Sequence, residues 1–194
     1  MVRVYIIRHG ETDWSLSGQH TGRTDIPLNA RGEEQARDLQ QVLSAIAFTT
    51  VLTSPLQRAR RTCELTGLGA AAQVEPDLAE WDYGAYEGLR SSEIHQKRPD
   101  WSVFRDGCPG GETPAQISDR ADRLIAQLRS RDGNIALFTH GHFGCVVAAR
   151  WIDLAVIEGQ HLLLSTASVS ILGQHPTHPE VPVISLWNAT RGGS

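Results

Sequence analysis

Two arginines and two histidines stand where they could act together in this chain of 194 residues. Arg8-His9-Gly10 directly follows an apolar run, Arg58 comes five residues after a second, and His140-Gly141-His142 closes on a third. A guanidinium grips a tetrahedral or planar anion through several donors at once. An imidazole can attack an electrophile or carry a proton near neutral pH. The basic residues lean toward anion binding: 17 are arginine and one, Lys97, is lysine. No Gly-Lys-Ser/Thr occurs, which excludes the phosphate loop of ATPases. Lys97 lies in the polar stretch His-Gln-Lys-Arg-Pro, a setting for a solvated residue rather than a Schiff base.

Such groups matter only if the chain brings them to one place. Val2–Ile7, Thr50–Thr53 and Ile135–Phe138 read as buried parallel strands, and segments near 167–173 and 182–187 complete a sheet. A helix capped by Asn29 carries Ala36, Leu39, Leu43 and Ile46 on one face. Ser54-Pro55-Leu56-Gln57 gives the punctuation of a second helix start, with Ser54 as N-cap. Thr113-Pro114-Ala115-Gln116 opens a third, with Ile117, Ala121, Leu124 and Leu128 in one stripe, and Phe143–Ile152 forms a fourth. The class predicted is α/β: a mainly parallel central sheet with helices on both faces, in three layers. Residues 1–194 show no linker or repeat and read as one domain, with a short irregular cap at about 84–112, where Gly, Pro and charge concentrate.

In open parallel sheets ligands bind beyond the carboxyl ends of the strands. The three clusters are therefore expected on one rim. Arg58 would sit in the first turn of its helix, where free backbone N–H groups favour an anion. This describes a pocket for phosphate or a similar anion.

Other classes are excluded or disfavoured. No apolar run approaches the roughly 18 residues of a membrane span, and the opening run is too short for a signal-peptide core, so a cytoplasmic location is expected. A formal charge of −4 argues against a nucleic-acid partner. Cys63, Cys108 and Cys145 are odd in number and far apart, and read as buried fillers. No metal and no cofactor is expected: the carboxylates are not paired at binding spacing, and His140-x-His142 lacks the partners of a zinc site. His142 reads as helix-start packing, and His175-x-x-His178 as a Pro-rich turn. Gly67–Ala72 matches a dinucleotide pattern formally, but it follows a helix instead of a strand and is set aside. The last forty residues contribute no chemistry that can be named.

Arg8-His9-Gly10-Glu11-Thr12 resembles the RHG signature of the histidine phosphatase superfamily, in its phosphoglycerate-mutase-like branch. The resemblance extends in order through Thr21-Gly22, Arg31-Gly32, Ser54–Ala59, Leu78–Gly84, Gly110–Thr113 and His140–His142. The wording around Trp14-Ser15, Glu80–Gly88 and Arg105–Cys108 is similar to the sugar-bisphosphatase and broad acid-phosphatase subgroup.

The resemblance implies a metal-independent phosphomonoester hydrolase for small phosphorylated metabolites, sugar phosphates foremost, working through a phospho-His9 intermediate. It makes Glu80 the proton donor to the leaving oxygen and later the base for water. Arg8, Arg58 and His140 then surround the phosphate oxygens, with a further backbone donor at Gly141. Ser15, Thr21, the Gly22 amide and Tyr83 match substrate contacts, Gly10 permits a sharp turn, and Glu11 and Glu87 hold the arginines. Mutases of the branch carry a long basic insertion after the acid, whereas Glu80 and Gly111 are 31 positions apart here, which favours water as acceptor. The alternatives are a phosphoglycerate mutase-type phosphotransferase and a non-catalytic phosphate-ligand binding protein. Relatives often carry arginine where Cys145 stands, which puts a strict bisphosphate preference in doubt; Arg90, Lys97, Arg98 and Arg105 on the cap are candidate substitutes. The partner implied is a small phosphate ester, and a homodimer is common in the branch.

Overall fold

The computed structural model describes residues 2–190. Its strands are β1 (Val2–Arg8), β2 (Phe48–Thr53), β3 (Ala72–Val74), β4 (Gly133–Thr139), β5 (Val169–Gln174) and β6 (Pro182–Ala189). They form one sheet in the order β3-β2-β4-β1-β5-β6. The pairs β1/β4, β2/β4 and β2/β3 are parallel, while β5 runs against both β1 and β6. A mainly parallel sheet was expected, and this is one.

Alternation along the central strands explains the layers. In β1, Val4 and Ile6 join one buried cluster while Tyr5 and Ile7 join the other; in β4, Ile135 and Leu137 alternate likewise with Ala136 and Phe138. Strands covered on both faces read as continuous apolar runs, which is why their sequences show no polar alternation. Helices α2 (Ala30–Leu43) and α3 (Gln57–Leu65) cover the Tyr5/Ile7 face; α6 (Pro114–Arg129) and α7 (Gly141–Trp151) cover the other. Ile117, Leu124 and Leu128 of α6 are fully buried, and each such side chain contributes roughly 1.5–3 kcal/mol of transfer free energy.

Several boundaries differ from the sequence expectation. Helix α3 begins at Gln57 with Leu56 at the cap position, while Ser54 Oγ accepts from the Leu56 N–H at 3.3 Å in the turn before it. Helix α7 begins at Gly141, two residues earlier than expected, with His140 at the cap position. Ile46 lies beyond the end of α2 but packs on the same cluster as Leu39 and Leu43. The short strand β3 was not expected; the Gly69–Ala71 turn leads into it, so the Gly67–Ala72 stretch follows a helix as read.

The cap is not irregular. It contains a turn of 3-10 helix at Gly84–Tyr86 and helices α4 (Ser91–Lys97) and α5 (Val103–Asp106). Its polar composition hid a few anchors: Ile94, Trp101, Val103, Phe104 and Cys108 are buried in the core cluster. All three cysteines are buried and free.

A short helix α1 (Asp13–Ser17) follows β1, capped by Thr12. The segment joining them is seated against α2 by two glycines. A Cβ on Gly10 would meet the Gly32 carbonyl oxygen at 2.3 Å, and one on Gly32 the Glu11 carbonyl oxygen at 2.0 Å. Gly10 is not in the left-handed region, so its need is close approach rather than a sharp turn. Glycine to alanine inside a helix ordinarily stabilises by up to about 1 kcal/mol. Gly32→Ala is expected to reverse that sign and destabilise by about 1–3 kcal/mol through overpacking, as measured by urea unfolding.

Candidate active site

The parallel register brings the three polar strand ends together. Arg8 pairs with Thr139 across β1 and β4. Beyond it the His9 N–H donates to the Thr139 carbonyl at 3.0 Å, and the Ser54 N–H donates to Phe138 at 2.9 Å. The His9 and His140 ring centroids are 5.2 Å apart. Beside them lies a cavity of about 280 Å³, bordered by Arg8, His9, Glu80, Tyr83 and Gly141.

His9 is set up as a neutral base with one free nitrogen. Its Nδ1 lies 2.7 Å from the Gly10 carbonyl oxygen, which accepts only from a protonated nitrogen. The ring's proton is thus on Nδ1, and Nε2 keeps its lone pair. Burial, then the charges of Arg58 and Arg8, push the imidazolium well below its ordinary value of 6.5. Arg8 supplies the cation: one Nη donates to the Leu164 carbonyl, while Nε is buried with no partner among the described residues. A buried guanidinium N–H left unpaired costs free energy until an acceptor arrives. Gly141 keeps that guanidinium clear, since a Cβ there would meet Arg8 Cζ at 3.3 Å.

Arg58 and His140 do not border the cavity; they lie behind it, both fully buried. Arg58 Nε donates to His140 Nδ1 at 3.1 Å, and its Nη atoms donate to the carbonyls of Thr21, Gly22 and Thr24 at 3.0–3.1 Å. His140 must then carry its proton on Nε2, which donates to Ser54 Oγ at 2.8 Å. Burial and Arg58 hold His140 well below 6.5, so it is neutral. In this arrangement Arg58 acts on the cavity through its charge, and both His140 nitrogens are engaged by protein.

Three expected contacts are also committed elsewhere. Ser15 borders the cavity, but its hydroxyl proton goes to the Thr12 carbonyl at 2.9 Å within a capping box. The Gly22 N–H donates to Glu87 Oε1 at 2.7 Å, and Gly22 is glycine because a Cβ would meet the Trp81 carbonyl oxygen at 2.4 Å. Thr21 borders the cavity with its hydroxyl donating to the Gln19 carbonyl at 3.2 Å. Glu87 thus steadies the loop whose carbonyls receive Arg58, since it also accepts from Thr24 N–H. Glu11 accepts from Asn29 Nδ2 at 3.0 Å and lies 3.8 Å from Arg31, away from Arg8.

Glu80 sits over the start of α7. Its Oε1 accepts the N–H groups of Trp81 (2.9 Å) and Phe143 (2.8 Å), and Oε2 accepts that of His142 (3.0 Å). The His142 and Phe143 groups are donors that a helix start leaves free. With a single donor, Oε2 retains capacity toward the cavity that Glu80 borders. The segment bearing Glu80 is clamped from below by Arg120, which is 8% exposed. Arg120 forks onto Glu112 at 2.8 and 2.7 Å and donates to the carbonyls of Asp77, Ala79 and Glu80. Its guanidinium also lies 4.1 Å over the Phe143 ring.

Of the far wall, the sequence offered Tyr83 as a substrate contact but neither His20 nor His142, and all three border the cavity. Tyr83 OH lies 2.5 Å from His142 Nδ1. Burial raises the phenol well above its ordinary value and lowers His142 to about 4, so a neutral phenol donates to a neutral imidazole. His20 stacks on Tyr83 at 4.8 Å and meets Trp101 at 5.4 Å; burial, then His142, lower it to about 4. The opposite wall is Cys145 and Leu162–Leu164, with Trp187 Nε1 donating to the Leu163 carbonyl at 2.6 Å. The last forty residues therefore do shape the site. His142 offered one signal, its place at a helix start beside His140. Arg120, His20 and Leu162–Leu164 offered none, since nothing in their neighbours' types points to a site. His175 and His178 lie in the turn between β5 and β6, as read.

The profile of the histidine phosphatase superfamily (branch 1) matches residues 4–190. The chain is 42% identical over 190 residues to a Mycobacterium tuberculosis acid phosphatase, covering 95% of this chain and 92% of that protein. It is 37% identical over 187 residues to sedoheptulose 1,7-bisphosphatase of Saccharomyces cerevisiae, covering 79% and 69%. Among solved structures, that of the open reading frame Rv3214 from Mycobacterium tuberculosis superposes with a TM-score of 0.92 at 38% identity, over 97% of each chain.

The clamp under Glu80 can be tested directly. Arg120→Ala leaves Glu112 without its fork, and is expected to destabilise by about 3 kcal/mol in urea unfolding. Arg120→Lys, which keeps the charge but not the planar fork, should recover only part of that loss.

Proposed function

The chain belongs to branch 1 of the histidine phosphatase superfamily, and from that premise we propose that it hydrolyses small phosphate monoesters, sugar phosphates among them, through a phosphorylated His9. One observation carries the reading: a buried Arg8 Nε–H without an acceptor stands in the same cavity as a neutral His9 whose Nε2 keeps its lone pair. The first needs an anion, and the second needs an electrophile. A phosphoryl group is both.

In the first step Nε2 forms a bond to phosphorus as the ester P–O bond breaks, and Glu80 Oε2 delivers its proton to the departing alkoxide. In the second, Glu80 takes a proton from water as the water oxygen bonds to phosphorus. The P–N bond then breaks, and its electron pair returns to Nε2. Arg8 meets the phosphoryl oxygens, and the enclosed charge of Arg58 lowers the cost of bringing a dianion to the rim. Charged hydrogen bonds of this type are worth about 1.5–3 kcal/mol each. His140 and Ser54 hold Arg58 in place beneath the nucleophile.

His9→Ala is expected to lower kcat at least about a thousandfold, with the fold intact by circular dichroism; phosphate release persisting undiminished in it would overturn the mechanism. The pH profile carries a second test. The nucleophile works unprotonated, and its folded value lies well below 6.5. The free enzyme therefore keeps the neutral form on the acid side of 6.5, and kcat/KM, corrected for the ester's own second ionisation at about 6, should show no loss between about pH 7.5 and 5.5. A fall centred at 6.5 would mean that the ring titrates as in an exposed histidine.

A further inference from the structure

We infer that the site selects phosphate monoesters whose alcohol half carries no negative charge, and rejects bisphosphates and phosphocarboxylates. This rests on the hydrolase reading above and names its substrate class.

Among the described residues bordering the cavity, Arg8 is the one cation and Glu80 the one carboxylate. Arg8 is spoken for by the phosphoryl group. The leaving group then faces Gln19, His20 and His142 on one side and Cys145 with Leu162–Leu164 on the other. Neither histidine is placed to serve as a cation. His142 is enclosed between Tyr83 and Phe104, at 5.8 and 5.2 Å between ring centroids. His20 is pressed between Tyr83 and Trp101, with Ser91 Oγ 3.3 Å from its Nε2. Burial keeps both near 4, uncharged at neutral pH. Cys145, where an arginine could have reached in, has its Sγ 3.1 Å from the Leu162 carbonyl, and burial pushes its thiol up to about 12.

The cap does not compensate. Arg90 Nε donates to the Ser17 carbonyl at 2.9 Å, Arg105 pairs with Asp106 at 2.8 Å, and Arg98 borders a separate surface hollow with Arg105. Lys97 ends α4, exposed, and does not border the cavity. A second phosphate or a carboxylate would therefore lose its water without gaining a cation. An unpaired buried anion is strongly disfavoured. Hydroxyl groups fit instead: His142, whose Nδ1 accepts from Tyr83, carries its proton on Nε2, and Gln19 Oε1, which accepts from Ser17 Oγ at 2.6 Å, keeps a second lone pair. Leu163, 78% exposed at the edge of the cavity, gives the outer part of the ligand an apolar contact.

The test compares matched esters on the intact protein: glycerol 3-phosphate against 3-phosphoglycerate, and fructose 6-phosphate against fructose 1,6-bisphosphate. We expect kcat/KM at least tenfold higher for the member without the second anion in each pair. Leu163→Arg, at an exposed position that tolerates charge, should narrow each ratio at least threefold by raising the rate for the anionic member. Equal ratios or a preference for the anionic esters in the wild-type protein would overturn this inference and leave the hydrolase reading standing. Ratios unmoved in Leu163→Arg would overturn it as well. Release of phosphate from none of the four would overturn the hydrolase reading itself, and this one with it.

Discussion

One fully buried and one half-buried guanidinium, neither in contact with a carboxylate among the described residues, set the terms for everything at this rim. Arg58 spends its donors on three carbonyls and an imidazole, and Arg8 spends one on a carbonyl and leaves Nε unpaired. A buried charge that is hydrogen-bonded but not neutralised keeps its field. That field holds His9 and His140 unprotonated and draws on the nearby Glu80 carboxylate as partial balance. The neutrality of the histidines and the demand for an anion are two results of one arrangement.

The sheet makes that arrangement possible. Parallel neighbours β2, β4 and β1 end side by side, so residues far apart in sequence become adjacent without any long connection having to fold over them. Loop carbonyls of Thr21, Gly22, Thr24 and Leu164, which would otherwise need donors of their own, serve here as acceptors for the two arginines. The Arg120–Glu112 fork does the same work one layer lower, tying the segment of Glu80 to α6 and α7 together.

Much of this was legible before any coordinates. Arg8, His9, Arg58 and His140 were readable because each follows an apolar run, and Glu80 because its block resembles a family motif. The layers followed from the apolar stripes of α2 and α6. What stayed hidden was of another kind. Whether a hydroxyl or amide faces a ligand or its own backbone depends on local geometry, and Ser15 and Gly22 turned to Thr12 and Glu87. The helix start fell later than Ser54, whose hydroxyl serves the turn before the helix and also a tertiary partner, His140, that no local pattern reveals. The cap looked irregular because a handful of anchors such as Trp101 and Ile94 outweigh a polar majority.

The seating of Glu80 on the first amides of α7 ties two properties to one group. While ionised, the carboxylate is the counter-ion of that helix end, stabilising it as an anion does any helix start. In the proposed mechanism, each proton it took from water and returned to an alkoxide would switch that counter-ion off and on. A rhythm in the rigidity of the helix would then accompany turnover, with the loosest moment falling while the carboxyl is neutral.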